Sequence, residues 1–217
     1  MNASANNLCV VDDDEAVRRS LGLLLLSRGY AVQTFASGED FLAGADLQRA
    51  GCAILDLRMD GMSGLQVFDA LRAQDSPLVV LFLSGHGDIP MAVEAVQNGA
   101  FGWLEKPCND EQLLDSIARA LQRAGEIAAK RQARQAAQAL WDKLTPREMQ
   151  VARLVAEGKP NKQIALELAP LEQRTVETHR AHVFAKLGLA NSHQLDRFLR
   201  EHCLLYTSDA ADDTPCV

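Results

Sequence analysis

The chain has 217 residues, 47% of them hydrophobic and 24% charged, a composition suited to a soluble globular protein with room for two modest cores. No apolar run approaches the length that spans a bilayer; the tightest cluster, Leu21 to Leu26, contains Gly22 and stops at Ser27-Arg28. The net charge of −7 is unevenly spread: residues 1–122 carry 8 Lys and Arg against 17 Asp and Glu, whereas residues 123–202 carry 14 against 9 and four of the five histidines. An acidic front and a mildly basic back predict two domains with different partners. Met1 to Asn7 is polar, without a basic or apolar leader pattern, so a cytoplasmic protein with no secretory signal and no membrane partner is expected. The five cysteines show no CxxC spacing, and Cys9 and Cys52 lie inside apolar runs, which predicts buried reduced thiols.

In chain order, the front half alternates apolar runs (Leu8–Val11, Ala31–Phe35, Cys52–Leu55, Leu78–Leu83, Phe101–Leu104) with amphipathic stretches beginning near Glu15, Gly38, Gly64, Asp88 and Asn109. Five β units alternating with five α units predict an α/β domain, a parallel five-stranded sheet covered on both faces. Residues 123–140 are rich in Ala, Gln and Arg, without Pro, and predict a helix. It reads as an extension of the preceding helix or a helical linker; a solvated spacer and a dimer-contacting helix both stay open.

From Leu144 the pattern is helical only. Thr145-Pro146-Arg147-Glu148 is a capping box, with Thr145 as N-cap and Pro146 at the first helical position. That helix ends at Gly158. Asn161 starts a second, with Ile164, Ala165 and Leu168 on one face. A third runs from about Gln173 to Leu187 and stops at Gly188. A fourth follows Asn191-Ser192 with Leu195 and Leu199 inward. The stretch 203–217 (CLLYTSDAAD and beyond) resembles the in-frame translation of a sequencing adapter and is expected to be a non-native tail.

The chemistry gathers at strand ends. Asp12 and Asp13 follow the first run, Asp56 the third, Ser84 the fourth and Lys106 the fifth. Ligands of parallel sheets bind beyond the carboxyl ends of the strands, so these groups should converge there. Crowded carboxylates repel unless a cation neutralises them, and a hard divalent ion with oxygen ligands, Mg2+, suits the set. Asp56 is then a carboxylate nucleophile beside a metal, and the Lys106 ammonium and Ser84 hydroxyl could hold the oxygens of a transferring phosphoryl group.

These residues carry a resemblance. VVDDDEAVR, LDLRMDGMSG, LSGHGD and GWLEKP resemble the motifs of CheY-like receiver domains, and 5–202 as a whole is similar to FixJ-like regulators of two-component systems. The resemblance implies a flavodoxin-like (βα)5 receiver over 5–122, the linker over 123–140 and an all-α, four-helix LuxR-type helix-turn-helix domain over 141–202. It implies Asp56 as phosphoacceptor, and Asp12, Asp13, Asp56 and the Arg58 carbonyl as Mg2+ ligands. Ser84 is the implied switch hydroxyl, Trp103 stands at the switch aromatic position, and Lys106 precedes a cis proline bond. Three positions depart from the family pattern: Asp60 where Pro is usual, Cys108 where an aromatic is common, and Trp for the usual Tyr or Phe at 103.

LTPREMQV, EGKPNKQIALEL and RTVETHRAHVFAKLG resemble the LuxR-type domain. On the third helix Val176, His179, Val183 and Leu187 share an inward face, with His179 expected as a packed, hydrogen-bonded histidine. Arg174, Thr175, Glu177, Thr178 and Ala181, with Arg180 at the edge, form the face able to enter a major groove. Lys162 is a phosphate-contact candidate. APLEQR before Thr175 is one residue longer than the family's turn and holds Pro170, so the second helix should stop near Ala169 and the third begin about Glu172.

The expected function is that of a response regulator phosphorylated on Asp56 by a sensor histidine kinase. It then forms a homodimer and binds double-stranded promoter DNA, as an activator with RNA polymerase as a further partner. Catalysis beyond its own phosphotransfer and autodephosphorylation is not expected. Two rivals are an aspartyl phosphatase, disfavoured because Arg58 stands where the second acid would, and a phosphorylation-independent DNA-binding or dimerisation module.

Overall fold

Apolar runs pair into strands because their backbone groups must be satisfied once the side chains leave water. The computed structural model describes residues 7–85 and 89–202. The polar N-terminus 1–6, the expected helix start near Asp88 and the stretch 203–217 lie outside the described residues. The order is β1 (Asn7–Val11), α1 (Glu15–Ser27), β2 (Val32–Phe35), α2 (Gly38–Gly44), β3 (Gly51–Asp56), α3 (Gly64–Ala73), β4 (Leu78–Ser84), α4 (Ile89–Gln97), β5 (Gly102–Glu105) and α5 (Asp110–Trp141). Then come α6 (Pro146–Ala156), α7 (Asn161–Glu167), α8 (Gln173–Leu187) and α9 (Ser192–Glu201). The chain divides into two units that meet between Ala129 and Lys130.

In the first unit all strand pairs are parallel, in the order β2-β1-β3-β4-β5. Every residue of β1, β3 and β4 is buried, which explains their unbroken apolar runs. Alternation splits each strand between two cores. Cys9, Val11, Ala53, Leu55, Val80 and Phe82 face one core, with Phe41, Val67, Phe68 and Leu71 from α2 and α3. Leu8, Val10, Cys52, Ile54, Leu81 and Leu83 face the other, with Leu21 and Leu25 of α1 and Leu113 and Ile117 of α5. Burying Phe41 and Phe82 completely stabilises by about 2–3 kcal/mol each. Cys9 and Cys52 are buried and reduced, and burial pushes their thiols up to about 11 and about 12.

Helix starts follow local capping chemistry. Asp14 caps α1 by accepting from the amides of Ala16 and Val17, and Ser63 with Gln66 forms a capping box on α3. Asn109 accepts from the Glu111 amide at the head of α5. Residues 123–140 belong to α5 itself.

The second unit is built around Trp141, Leu144, Val151, Val155, Ile164, Val176, Val183, Leu187, Leu195 and Leu199. The Thr145–Glu148 capping box is present, with Pro146 in the first turn. Helix α6 packs on α8 and α9, and α7 packs on α8. Between α7 and α8, Leu168 ends one helix, the Ala169-Pro170 peptide is cis, and Glu172 is the extended N-cap of the next. A residue before proline is pushed out of helical conformation, which places the stop before Ala169. Gly188 closes α8 at φ 67°, the left-handed cap that glycine adopts without a Cβ penalty.

Candidate functional site

The register of the central strands assembles the acidic residues. Val11 pairs with Leu55, so the residues that follow each of them, Asp12 and Asp56, come side by side where the strand order reverses. Oxygens of Asp12, Asp13 and Asp56 lie within 4.8 Å of one another. Asp12 is 1% exposed and Asp56 8%, whereas Asp13 is exposed and accepts a hydrogen bond from the Asp60 amide at 2.9 Å. The Asp12 Oδ1 accepts from the Asp14 amide at 3.0 Å, and its carbonyl takes the Arg18 guanidinium at 2.6 Å.

Lys106 enters from the end of β5. Its Nζ lies 2.6 Å from Asp12 Oδ2 and 3.2 Å from Asp56 Oδ1. Its amide donates to the Ser84 carbonyl at 2.7 Å, and the Lys106-Pro107 bond is cis. Burial pushes the Asp56 carboxyl above its ordinary range; the Lys106 charge opposes this, while Asp12 and Asp13 add to the rise. For Lys106, burial favours the neutral amine, but hydrogen bonding and charge attraction to Asp12 and Asp56 win, and its pKa is raised.

Ser84 is fully buried, and its Oγ has no hydrogen-bond partner among the described residues. A hydroxyl so placed costs stability at rest. Trp103 pairs with Phe82 in register and packs half-buried against the α2–α4 core. Arg58 and Asp60 are exposed in the loop after β3. Gly64 escapes a sequence reading based on charge: a Cβ there would meet the Asp56 carbonyl at 2.1 Å, so only glycine lets α3 start this close.

In the second unit, Val176, Val183 and Leu187 are 0–5% exposed, as their inward spacing predicts. His179 on that face is a correction: it is only half-buried, and its shielded Nδ1 has no partner among the described residues. The physical reason is that its neighbours along the face, Val176 and Val183, offer neither donor nor acceptor. Arg174, Thr175, Glu177, Thr178 and Ala181 are exposed on the opposite side, Arg180 is half-buried, and Lys162 is exposed near the start of α7.

Two features of this unit carry no sequence signal beyond helix caps. Glu148, 3% exposed, receives Lys186 Nζ at 2.6 Å and lies 3.5 Å from His182 Nδ1, tying α6 to α8. Burial favours its neutral form, but hydrogen bonds from Lys186 and Thr145 prevail and hold its carboxyl at about 2. Arg147 donates to the Leu168 carbonyl, holding the end of α7.

A parallel sheet whose strand ends gather three carboxylates, an ammonium and a buried hydroxyl, in one chain with a helix-turn-helix bundle, defines a receiver coupled to a DNA-binding unit. The response regulator receiver domain matches residues 8–118, and the bacterial regulatory proteins of the luxR family match residues 142–199. The chain is 47% identical over 190 residues to the C4-dicarboxylate transport transcriptional regulatory protein DctR of Rhodobacter capsulatus, spanning 87% of this chain and 96% of that protein. It is 43% identical over 188 residues to the tetrathionate response regulatory protein TtrR of Salmonella typhimurium, spanning 87% and 89%. Among solved structures, response regulator StyR aligns over 91% of this chain and 100% of its own, at 37% identity and a TM-score of 0.78. Full-length FixJ from B. japonicum aligns over 92% and 98%, at 36% identity and a TM-score of 0.55. The chain belongs to the two-component response regulators that join a receiver domain to a LuxR-type DNA-binding domain and regulate transcription. Among the described residues no helix is long and apolar enough to cross a membrane.

Proposed function

We propose that Asp56 accepts a phosphoryl group from a sensor histidine kinase and that this controls binding of promoter DNA by the α8 face. The observation that carries this reading is the convergence of Asp12, Asp13, Asp56 and Lys106 around one point, with the unpartnered Ser84 hydroxyl at the end of the neighbouring strand. The donor set is all hard oxygen, which fits Mg2+; Asp12, Asp13, Asp56 and the Arg58 carbonyl are the residues that would hold it. Bound there, Mg2+ would neutralise charge on the phosphoryl oxygens.

In the transfer, an Asp56 oxygen forms the new O–P bond as the N–P bond to the kinase imidazole breaks, and the electron pair leaves with that imidazole. Lys106, already 3.2 Å from Asp56, follows the developing charge to a phosphoryl oxygen. The Ser84 hydroxyl then gains the partner it lacks at rest, which favours a rearranged surface toward Trp103 and a homodimer. Dimerisation presents two α8 helices to a two-fold-related site. Lys162 anchors phosphate, while Arg174, Thr175, Glu177, Thr178, Arg180 and Ala181 face the groove. The regulator acts in the cytoplasm as an activator that meets RNA polymerase at the promoter, and its phosphoryl chemistry is confined to Asp56 itself.

The decisive experiment is phosphoryl uptake from acetyl phosphate by wild type and Asp56→Asn in the presence of Mg2+. Wild type is expected to label and the variant to stay unlabelled; equal labelling of both sinks the reading.

A further inference from the structure

On the exposed face of α8, Glu177 and Arg180 are both held from the adjacent helix α7 by Asn161. It is the first residue of α7 and half-buried. Its side-chain Oδ1 accepts from Arg180 Nη1 at 2.8 Å, and its Nδ2 donates to Glu177 Oε1 at 3.4 Å. Gln173 Nε2, one turn back on α8, donates to the same Glu177 oxygen at 3.3 Å. The Arg180 guanidinium lies over the Phe184 ring, 5.9 Å from its centre. One amide therefore uses its acceptor on one groove-face residue and its donor on another.

The consequence is selective. Glu177 has one oxygen held by two amides, while Oε2 takes no hydrogen-bond partner among the described residues. A carboxylate held by one oxygen keeps the other in a defined direction, and an acceptor-only group on a groove-facing helix matches the amino group of cytosine. It is repelled by phosphate, so this oxygen gains only where a base donor meets it. Arg180 is drawn toward Asn161 and Phe184, which removes a competing cation from Glu177 and leaves its remaining donors for the DNA backbone.

We propose that Asn161 is a specificity-determining positioning residue: by holding Glu177 and Arg180 in these orientations it makes the chain discriminate for cytosine at one position of its site. This deepens the proposal that α8 reads the major groove, and it rests on that reading.

The test uses the full-length phosphorylated chain. Wild type selects a preferred sequence from a pool of random duplexes. Affinities are then measured for that duplex and for each single base-pair substitution, with wild type, Glu177→Gln, Asn161→Ala and Asn161→Asp. Asn161→Asp keeps an acceptor for Arg180 but faces Glu177 with a second carboxylate, so it separates the two halves of the clamp and is close in size should the alanine variant fail to fold. Wild type is expected to prefer cytosine at one position by about tenfold or more, a preference that Glu177→Gln abolishes. Both Asn161 variants are expected to reduce that same preference to about twofold while leaving the other positions unchanged. If both fold and keep the wild-type preference there, or lose affinity equally for every duplex, Asn161 is merely structural and the inference is overturned, with groove reading intact. If wild type selects no sequence at all, the underlying reading of α8 falls, and this inference with it.

Discussion

The backbone amide of Asp60 donates a hydrogen bond to Asp13 Oδ2 at 2.9 Å. Asp13 is the exposed member of the acidic cluster, so this bond restrains the carboxylate that solvent would otherwise leave free. Proline, the usual residue at this position in the family that the sequence resembles, has no N–H and could not make it. Asp60→Pro is therefore expected to weaken Mg2+ binding about tenfold, through lost orientation of Asp13 and lost negative charge. Asp60→Asn isolates the charge and should weaken it less. Calorimetric Mg2+ titration of both variants checks the ordering.

Ser84 separates resting stability from switching. Its buried hydroxyl has no partner among the described residues, so Ser84→Ala is expected to leave the unphosphorylated receiver unchanged or more stable by about 1 kcal/mol. Phosphorylation of the variant should proceed, while the gain in DNA affinity on phosphorylation should fall at least severalfold. Urea unfolding and binding assays with and without acetyl phosphate measure the two effects.

The Glu148–Lys186 pair makes the second unit sensitive to acid. The folded carboxyl sits at about 2 against an ordinary 4.5, a depressed value. Its stabilisation is therefore fully present above about pH 4.5 and is lost as pH falls toward about 2. Glu148→Gln is expected to cost about 2 kcal/mol near neutral pH, discounted because Lys186 is partly exposed, and almost nothing near the acid end of that window. Trp141, buried in the same core, reports unfolding by fluorescence in a Trp103→Phe background.

The two faces of α8 should respond oppositely to substitution. Val183 is 1% exposed, so Val183→Ala is expected to cost about 1–3 kcal/mol of stability and to weaken DNA binding only as the unit unfolds. Ala181 is exposed, so Ala181→Glu should leave the melting temperature within a degree or two, while phosphate repulsion lowers DNA affinity about tenfold or more. Thermal melts paired with DNA titrations decide between these patterns.

Most of the architecture was legible because its causes are local. Unbroken apolar runs mark strands buried on both faces, and Thr145–Glu148 marks a helix start through bonds three residues apart. The acidic cluster was legible too, because parallel topology sends Asp12 and Asp56 to the same sheet edge whatever the details of packing. The hydrogen bonding of His179 was misread because periodicity reports which way a side chain faces, not whether a partner waits there.

What the linear order of residues determined by itself is the pair of folds and the identity of the groups at the strand ends. Tertiary structure decided which groups act on one another. Lys106 bonds Asp12 across 94 residues, Lys186 meets Glu148 across 38, and Asn161 spans 19 to reach Arg180. Propensity, caps and periodicity act over one or two turns, whereas hydrogen bonds and ion pairs fall off within a few ångströms and depend on where folded elements come to rest. The strongest contacts of Asp13 and Glu148 are therefore set by packing.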